Sequence, residues 1–214
     1  MIHRTYSPLD HALMGLDQAV RTVFGRPQTT ERPDPAADLP ETDLPDKQRR
    51  HVARLMRINH TGEVCAQALY QGQAMTAHLP EVRDGMARSA KEENDHLVWC
   101  ERRIDALGDR KSVLNPLWYA GSFTIGALAG LAGDKWSLGF VVETERQVES
   151  HLDDHLKQLP ASDRKTRAGL EQMKEDEIHH AEVAQQAGGA TLPRPVRLAM
   201  KATSKLMTRS VYWF

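Results

Sequence analysis

The sequence predicts an all-α protein: a four-helix bundle interrupted by an apolar crossover and followed by a basic amphipathic helix. Three observations predict it. Four stretches rich in good helix formers and free of internal Pro fall at about 47–78, 81–107, 135–159 and 162–187. Between the second and third, residues 112–133 carry no charged side chain. From Val183 to Phe214 no acidic residue occurs, while Arg194, Arg197, Lys201, Lys205 and Arg209 interleave with apolar residues.

The 214 residues, 40% hydrophobic and 27% charged, suit one globular domain with a real core. A net charge of −1 gives no case for nucleic acid as partner. Cys65 and Cys100 fall in helical stretches without metal-ligand spacing, which points to a reduced compartment and no disulfide framework. The N-terminus lacks the basic, apolar and small-residue order of a secretory signal. Asp10 and Asp17 arrive early, which argues against a mitochondrial transit peptide.

In chain order, residues 8–24 have Leu9, Leu13, Leu16, Val20 and Val23 near helical spacing. Residues 26–46 carry Pro27, Pro33, Pro35, Pro40 and Pro45 among polar groups and read as an extended linker or disordered arm. The expected division is therefore 1–46, an N-terminal helix and Pro-rich arm, and 47–214, the bundle. The first bundle helix contains Gly62, which costs up to about 1 kcal/mol relative to Ala; close packing beside Glu63 would explain it. The second closes at Gly108. The crossover, 112–133, is open to three readings: a buried helix, an apolar hairpin dipping into one leaflet, or a true span. Pro116 and the interspersed Gly weigh against the span. In the third helix Leu138, Val141, Val142, Val148, Leu152, Leu156 and Leu159 draw the buried stripe. The fourth begins at a Ser162 or Asp163 cap and stops at Gly188-Gly189. The tail, 190–214, suits the surface of an anionic membrane, or packs on the bundle and shows its cations to water.

The chemistry-bearing pattern is a repeated one. Glu93 and His96 stand three apart, as do Glu177 and His180, so each helix turns a carboxylate and an imidazole to one side. Glu63 precedes Glu93 by 30 residues and Glu145 precedes Glu177 by 32, with a chain reversal midway at Leu79-Pro80 and at Pro160-Ala161-Ser162. Each hairpin thus lifts a lone Glu and a Glu-x-x-His to similar heights. Two hairpins packed together supply four carboxylates and two imidazoles, the ligand set of di-iron or di-manganese centres in ferritin-like bundles. Of Glu143, Glu145 and Glu149, Glu145 sits inside the apolar stripe, Glu143 points away, and Glu149 is the weaker rival. His179 turns about 100° from His180. Glu92 and Asp176, each just before a motif Glu, are candidates to hold the second nitrogen of an imidazole. Tyr70, two turns after Glu63, is either core packing or a substrate contact. Oxygen and nitrogen donors suit iron or manganese better than a thiolate-seeking metal. No Gly-rich nicotinamide fingerprint is present.

The string RINHTGEVCAQALYQGQ around Glu63, followed by Glu93-x-x-His96, Glu145 and Glu177-x-x-His180, resembles the demethoxyubiquinone hydroxylase family of ubiquinone biosynthesis from about residue 50 onward. The resemblance implies a di-iron monooxygenase that hydroxylates the ring of a polyprenylated methoxy-methyl-benzoquinol with O2. It implies that Glu63, Glu93, His96, Glu145, Glu177 and His180 ligate two iron ions and act catalytically through them, with Glu93 and Glu177 bridging. It also implies NADH as a transient electron donor without a Rossmann domain, and membrane attachment through the crossover. With no transit peptide expected, the expected place is peripheral, on the cytoplasmic face of a bacterial inner membrane. A ubiquinone-biosynthesis complex and a homo-oligomer are compatible with it. Two other classes share parts of the pattern: a ferritin-like iron-oxidising or peroxide-reducing protein, and a helical scaffold without chemistry of its own.

Overall fold

The structure, a computed structural model, describes residues 7–25, 29–30 and 32–214. The bundle helices are α2 (Asp46–Thr76), α3 (Pro80–Ala106), α5 (Asp134–Gln158) and α6 (Arg164–Gln186), within two residues of the sequence expectation at each end. The local chemistry accounts for these ends. Pro80 occupies the first turn of α3, where a missing N–H costs nothing. Gly108, at φ 73°, takes the left-handed conformation just beyond that helix. Asp163 caps α6 by accepting from the Thr166 N–H at 3.1 Å and from its hydroxyl at 2.7 Å.

Cross-helix contacts set the directions. Tyr70 meets Glu145 while Asn59 meets His155, so α2 and α5 are antiparallel. Arg103 meets Thr166 while Glu92 meets His180, so α3 and α6 are antiparallel as well. Two apolar layers fill the bundle. Leu55, Met56, Trp99, Ile104, Leu152, Leu170 and Met173 form one. Ala66, Tyr70, Val82, Met86, Leu138, Val141 and Ala184 form the other. The six expected ligands fall at the level between them.

The crossover is one helix, α4 (Asn115–Leu131), not a hairpin. It runs parallel to α2: Thr61 donates to Asn115 at 2.8 Å near its start, and Thr76 donates to the Ala127 carbonyl at 3.1 Å near its end. Small residues permit this approach. A methyl group on Gly126 would strike the Leu69 carbonyl, and one on Gly72 would strike that of Phe123. Such close seating lets a helix without a charged face continue straight instead of reversing. Its outer face leaves Leu117, Leu128 and Leu131 exposed. No helix among the described residues is long and apolar enough to cross a membrane.

The last helix, α7 (Arg194–Val211), returns along α2 and α5 and meets α4 at Trp118. Met207 and Val211 pack on Ile58, and the Tyr212 hydroxyl lies 2.9 Å from His51 Nδ1. Arg194, Arg197, Lys201, Lys205 and Arg209 all face solvent. At the other end of the chain, α1 (Pro8–Phe24) starts at a Ser7–Asp10 capping box and buries Val23 against Val64, Ala68, Leu97 and Tyr119.

Where composition predicts an extended linker or disordered arm, the described residues lack helix apart from a pair of turns over 34–39 and are pinned to the bundle. Leu44 enters the core, Glu41 pairs with Arg103 at 2.8 Å, and Thr42 donates to the Ser162 carbonyl at 2.8 Å. Charged partners on α3, invisible to a compositional reading, make the difference. Residues 26–28 and 31, Pro27 included, lie outside the described residues, as do residues 1–6, on which part of the targeting expectation rests.

Candidate metal centre

The four helices deliver all six expected side chains to one buried cluster. Glu63, Glu93, His96 and Glu177 present ligand atoms within 4.8 Å of one another, and so do Glu93, Glu145, Glu177 and His180. Glu93 and Glu177 belong to both groups, the place a bridging carboxylate takes. Each of the six is at least 95% buried. Neither rival glutamate enters the cluster: Glu143 accepts from Gln147 on its own helix, and Glu149 is half-buried away from it. His179 is exposed, one residue from the buried His180.

Both imidazoles turn Nδ1 inward. His96 Nδ1 lies 2.9 Å from Glu93, 3.5 Å from Glu177 and 3.6 Å from Glu63. His180 Nδ1 lies 3.0 Å from Glu93 and 3.7 Å from Glu177. Their outward nitrogens are held reciprocally across the hairpins. His96 Nε2 is 2.8 Å from Asp176 of α6, and His180 Nε2 is 2.7 Å from Glu92 of α3. A carboxylate on the outer nitrogen fixes the tautomer and leaves the inner lone pair for a metal.

The electrostatics fit a cation. Burial pushes the Glu63 and Glu145 carboxyls well above the usual range, and the charges of Glu93 and Glu177 add to the push. Burial works against ionised Glu93 too, but the adjacent His96 and His180 hold it well below that range. Glu93 Oε1 and His180 Nδ1 are buried and lack any hydrogen-bond partner, though only 3.0 Å apart. Two donor atoms so placed, in a cluster of four carboxylates and two imidazoles, are satisfied by a shared positive ion. The six residues could hold a metal ion, and their oxygen and nitrogen donors suit iron or manganese.

Beside the cluster, α2, α4, α5 and α7 enclose a cavity of about 310 Å³. Glu63 stands in its wall with Ile58, Ala66, Leu69, Trp118 and Phe140, and it reaches the surface between Ile125 of α4 and Val196 of α7. Gly62 also lines it, and a methyl group there would meet nothing within 4 Å. Close packing is therefore not what Gly62 serves; it borders open space. Of its two expected roles Tyr70 takes core packing, within the second apolar layer, and its hydroxyl also donates to the Glu145 carboxylate. Its place two turns beyond Glu63 was the available signal. Asp95, buried beside His96 and bonded to Thr30 and Arg32 of the arm, had no signal in periodicity.

Fold and cluster together define the class: a ferritin-like helical bundle with a buried carboxylate and imidazole group able to take a metal ion. The chain belongs to the Ubiquinone biosynthesis protein COQ7 family, whose model matches residues 50–211. It is 57% identical over 210 residues to the 3-demethoxyubiquinol 3-hydroxylase of Nitrosococcus oceani, covering 98% of each chain. It is 59% identical to the protein of that name from Alcanivorax borkumensis over 217 residues, 99% of each chain. With that from Pseudomonas putida it shares 59% over 209 residues, 98% of this chain and 97% of the relative.

Proposed function

We propose that this chain hydroxylates the ring of a polyprenylated demethoxyubiquinol, with O2 as oxidant and two iron ions held by Glu63, Glu93, His96, Glu145, Glu177 and His180. The observation that carries this is the apolar cavity running from the α4–α7 surface to Glu63. An iron-oxidising or peroxide-reducing protein needs the same six ligands but has no use for such a cavity.

A reduced iron pair supplies dioxygen activation when bound. The chain's own residues do the rest. Glu93 and Glu177, which stand in both ligand groups, would serve either ion, while Asp176 and Glu92 orient the imidazoles and Tyr70 steadies Glu145. The cavity takes the ring and the first part of its tail, and the apolar layers above and below the cluster exclude water. Trp118 Nε1 and His151 Nε2, buried atoms without partners in residues of the cavity wall, suit the ring oxygens. One oxygen atom enters the ring and the other leaves as water. The two electrons required come from NADH as a transient donor.

The same reading places the chain peripherally on the cytoplasmic face of a bacterial inner membrane. Leu117, Leu128 and Leu131 of α4 and the five cations of α7 are exposed on the two helices that also line the cavity, which supports this. A long tail then stays in lipid while the ring reaches the metals. Membership of a ubiquinone-biosynthesis complex and a homo-oligomeric state belong to this reading too.

The test is the mass of quinones in a strain lacking the chain. A species one methoxy group short of ubiquinone should accumulate and disappear on return of the wild-type gene, but not of Glu177→Ala. Full rescue by that variant would refute the site.

A further inference from the structure

Asp95 is completely buried on α3, immediately before His96. All of its described hydrogen bonds come from the arm. The Thr30 N–H donates to it at 2.8 Å, the Thr30 hydroxyl donates to its other oxygen, and Arg32 Nε donates at 3.1 Å. A buried carboxylate is costly unless paired. The bundle therefore carries a charge whose compensation arrives only when residues 30 and 32 dock.

Arg32 does more than fill that socket. Its guanidinium lies 5.0 Å above the Trp99 ring, and Nη1 reaches Asp176 Oδ2 at 2.9 Å. That same oxygen lies 2.8 Å from His96 Nε2. One planar cation thus spans two carboxylates, Asp95 beside the ligand in sequence and Asp176 in contact with its ring. The symmetry-like counterpart is different: Glu92, which holds His180, is more exposed than Asp176, and its described hydrogen bond is to His180 alone.

We infer that Arg32 is a positioning residue for His96, so that the arm braces one metal position by direct bonds and makes none to the other. The inference rests on the reading of the cluster as a two-metal centre. Arg32 keeps Asp176 from swinging outward, Asp176 keeps the His96 ring from rotating, and Nδ1 stays aimed at Glu63, Glu93 and Glu177. At the position built on Glu145 and His180 no described hydrogen bond or ion pair comes from Arg32, whose charge reaches Glu92 only across space.

The experiment is an anaerobic Co(II) titration of the full chain, followed by visible ligand-field absorption, on wild type, Arg32→Gln, Arg32→Lys and Glu41→Gln. Wild type should take two ions. Arg32→Gln should bind one of them nearly as before and the other about 10-fold more weakly, the low end of the cost of losing an imidazole's own outer partner, because Asp176 itself remains. Arg32→Lys should fall between, because one ammonium cannot span both carboxylates with a fork's geometry. Glu41→Gln loosens the arm from Arg103 without touching Asp176 and should leave both ions bound as in wild type. Wild-type affinities in Arg32→Gln, or equal losses in Glu41→Gln, overturn the inference. If Arg32→Gln does not fold, wild-type affinities in Arg32→Lys overturn it. A wild-type chain that takes up no Co(II) overturns the metal-centre reading itself, a separate result.

Discussion

The Tyr70 hydroxyl of α2 donates to the Glu145 carboxylate of α5, tying the two helices together one step from the cluster. Both side chains are buried, so water does not compete for the bond. Tyr70→Phe should keep both ions but slow hydroxylation by about 10–100-fold, since Glu145 loses its tether. Metal content and single-turnover rate check this; wild-type turnover would mean the tether is dispensable.

The two overlapping ligand groups make unequal demands on their members. Glu63 belongs to one group and Glu93 to both. Glu63→Ala should therefore lower iron content to the single ion at the Glu145 and His180 position, whereas Glu93→Ala should abolish tight binding of either. Elemental analysis of protein reconstituted without oxygen distinguishes them. Equal losses in both variants would contradict the shared role of Glu93.

Gly62 borders the cavity with room for a side chain. Gly62→Ala should stabilise the protein by roughly 1 kcal/mol through helix propensity. Gly62→Leu should fold and load metal, yet raise the KM for a quinol substrate sharply. Denaturant midpoints and steady-state kinetics on the two variants read both effects.

Three histidines that do not belong to the buried cluster are held neutral. Burial lowers His60 to about 3, His151 to about 4 and His155 to about 2, with Lys111 assisting at His60 and His151 assisting at His155. The unfolded chain titrates near 6.5 and so takes up these protons first as pH falls. Their stabilisation is therefore complete above about pH 6.5 and is lost on going toward pH 4, by about 1.4 kcal/mol per histidine per pH unit. Chemical denaturation between pH 5 and 7 should show the loss, and His155→Gln should reduce its slope by about one histidine's share.

The cations of α7 are exposed and unopposed along their own helix. Double replacement Lys201→Glu, Lys205→Glu should weaken binding to phosphatidylglycerol vesicles by at least about 1 kcal/mol for each lysine removed. Vesicle sedimentation at two salt concentrations reads it. Binding that ignores both salt and the substitutions would leave α4 as the sole membrane contact.

Much of this site was legible because its grammar is local. Glu-x-x-His on a helix fixes a shared face, and the apolar stripe of α5 separates Glu145 from Glu143 and Glu149. The carboxylate keepers Glu92 and Asp176 followed from the same local logic, since an imidazole aimed inward needs a partner outside. Features made by residues distant in sequence were not legible. The cavity joins α2 to α7, whose lining residues Gly62 and Val196 lie far apart in the chain. Asp95 pairs with Arg32, 63 positions away in the chain, so no local spacing marks it. The crossover has apolar residues all round, so its pattern says nothing about turning back or running straight; its glycines decide that by meeting α2.

The crossed bonds from Asp176 to His96 and from Glu92 to His180 have an evolutionary corollary. Each half of the repeat stores the custodian of the other half's ring, so the halves cannot drift independently. A chimera grafting the α2–α3 pair of a distant homologue onto this α5–α6 pair would import one imidazole and abandon its guardian. Such hybrids should recover only when the residue before each motif glutamate travels as a matched couple.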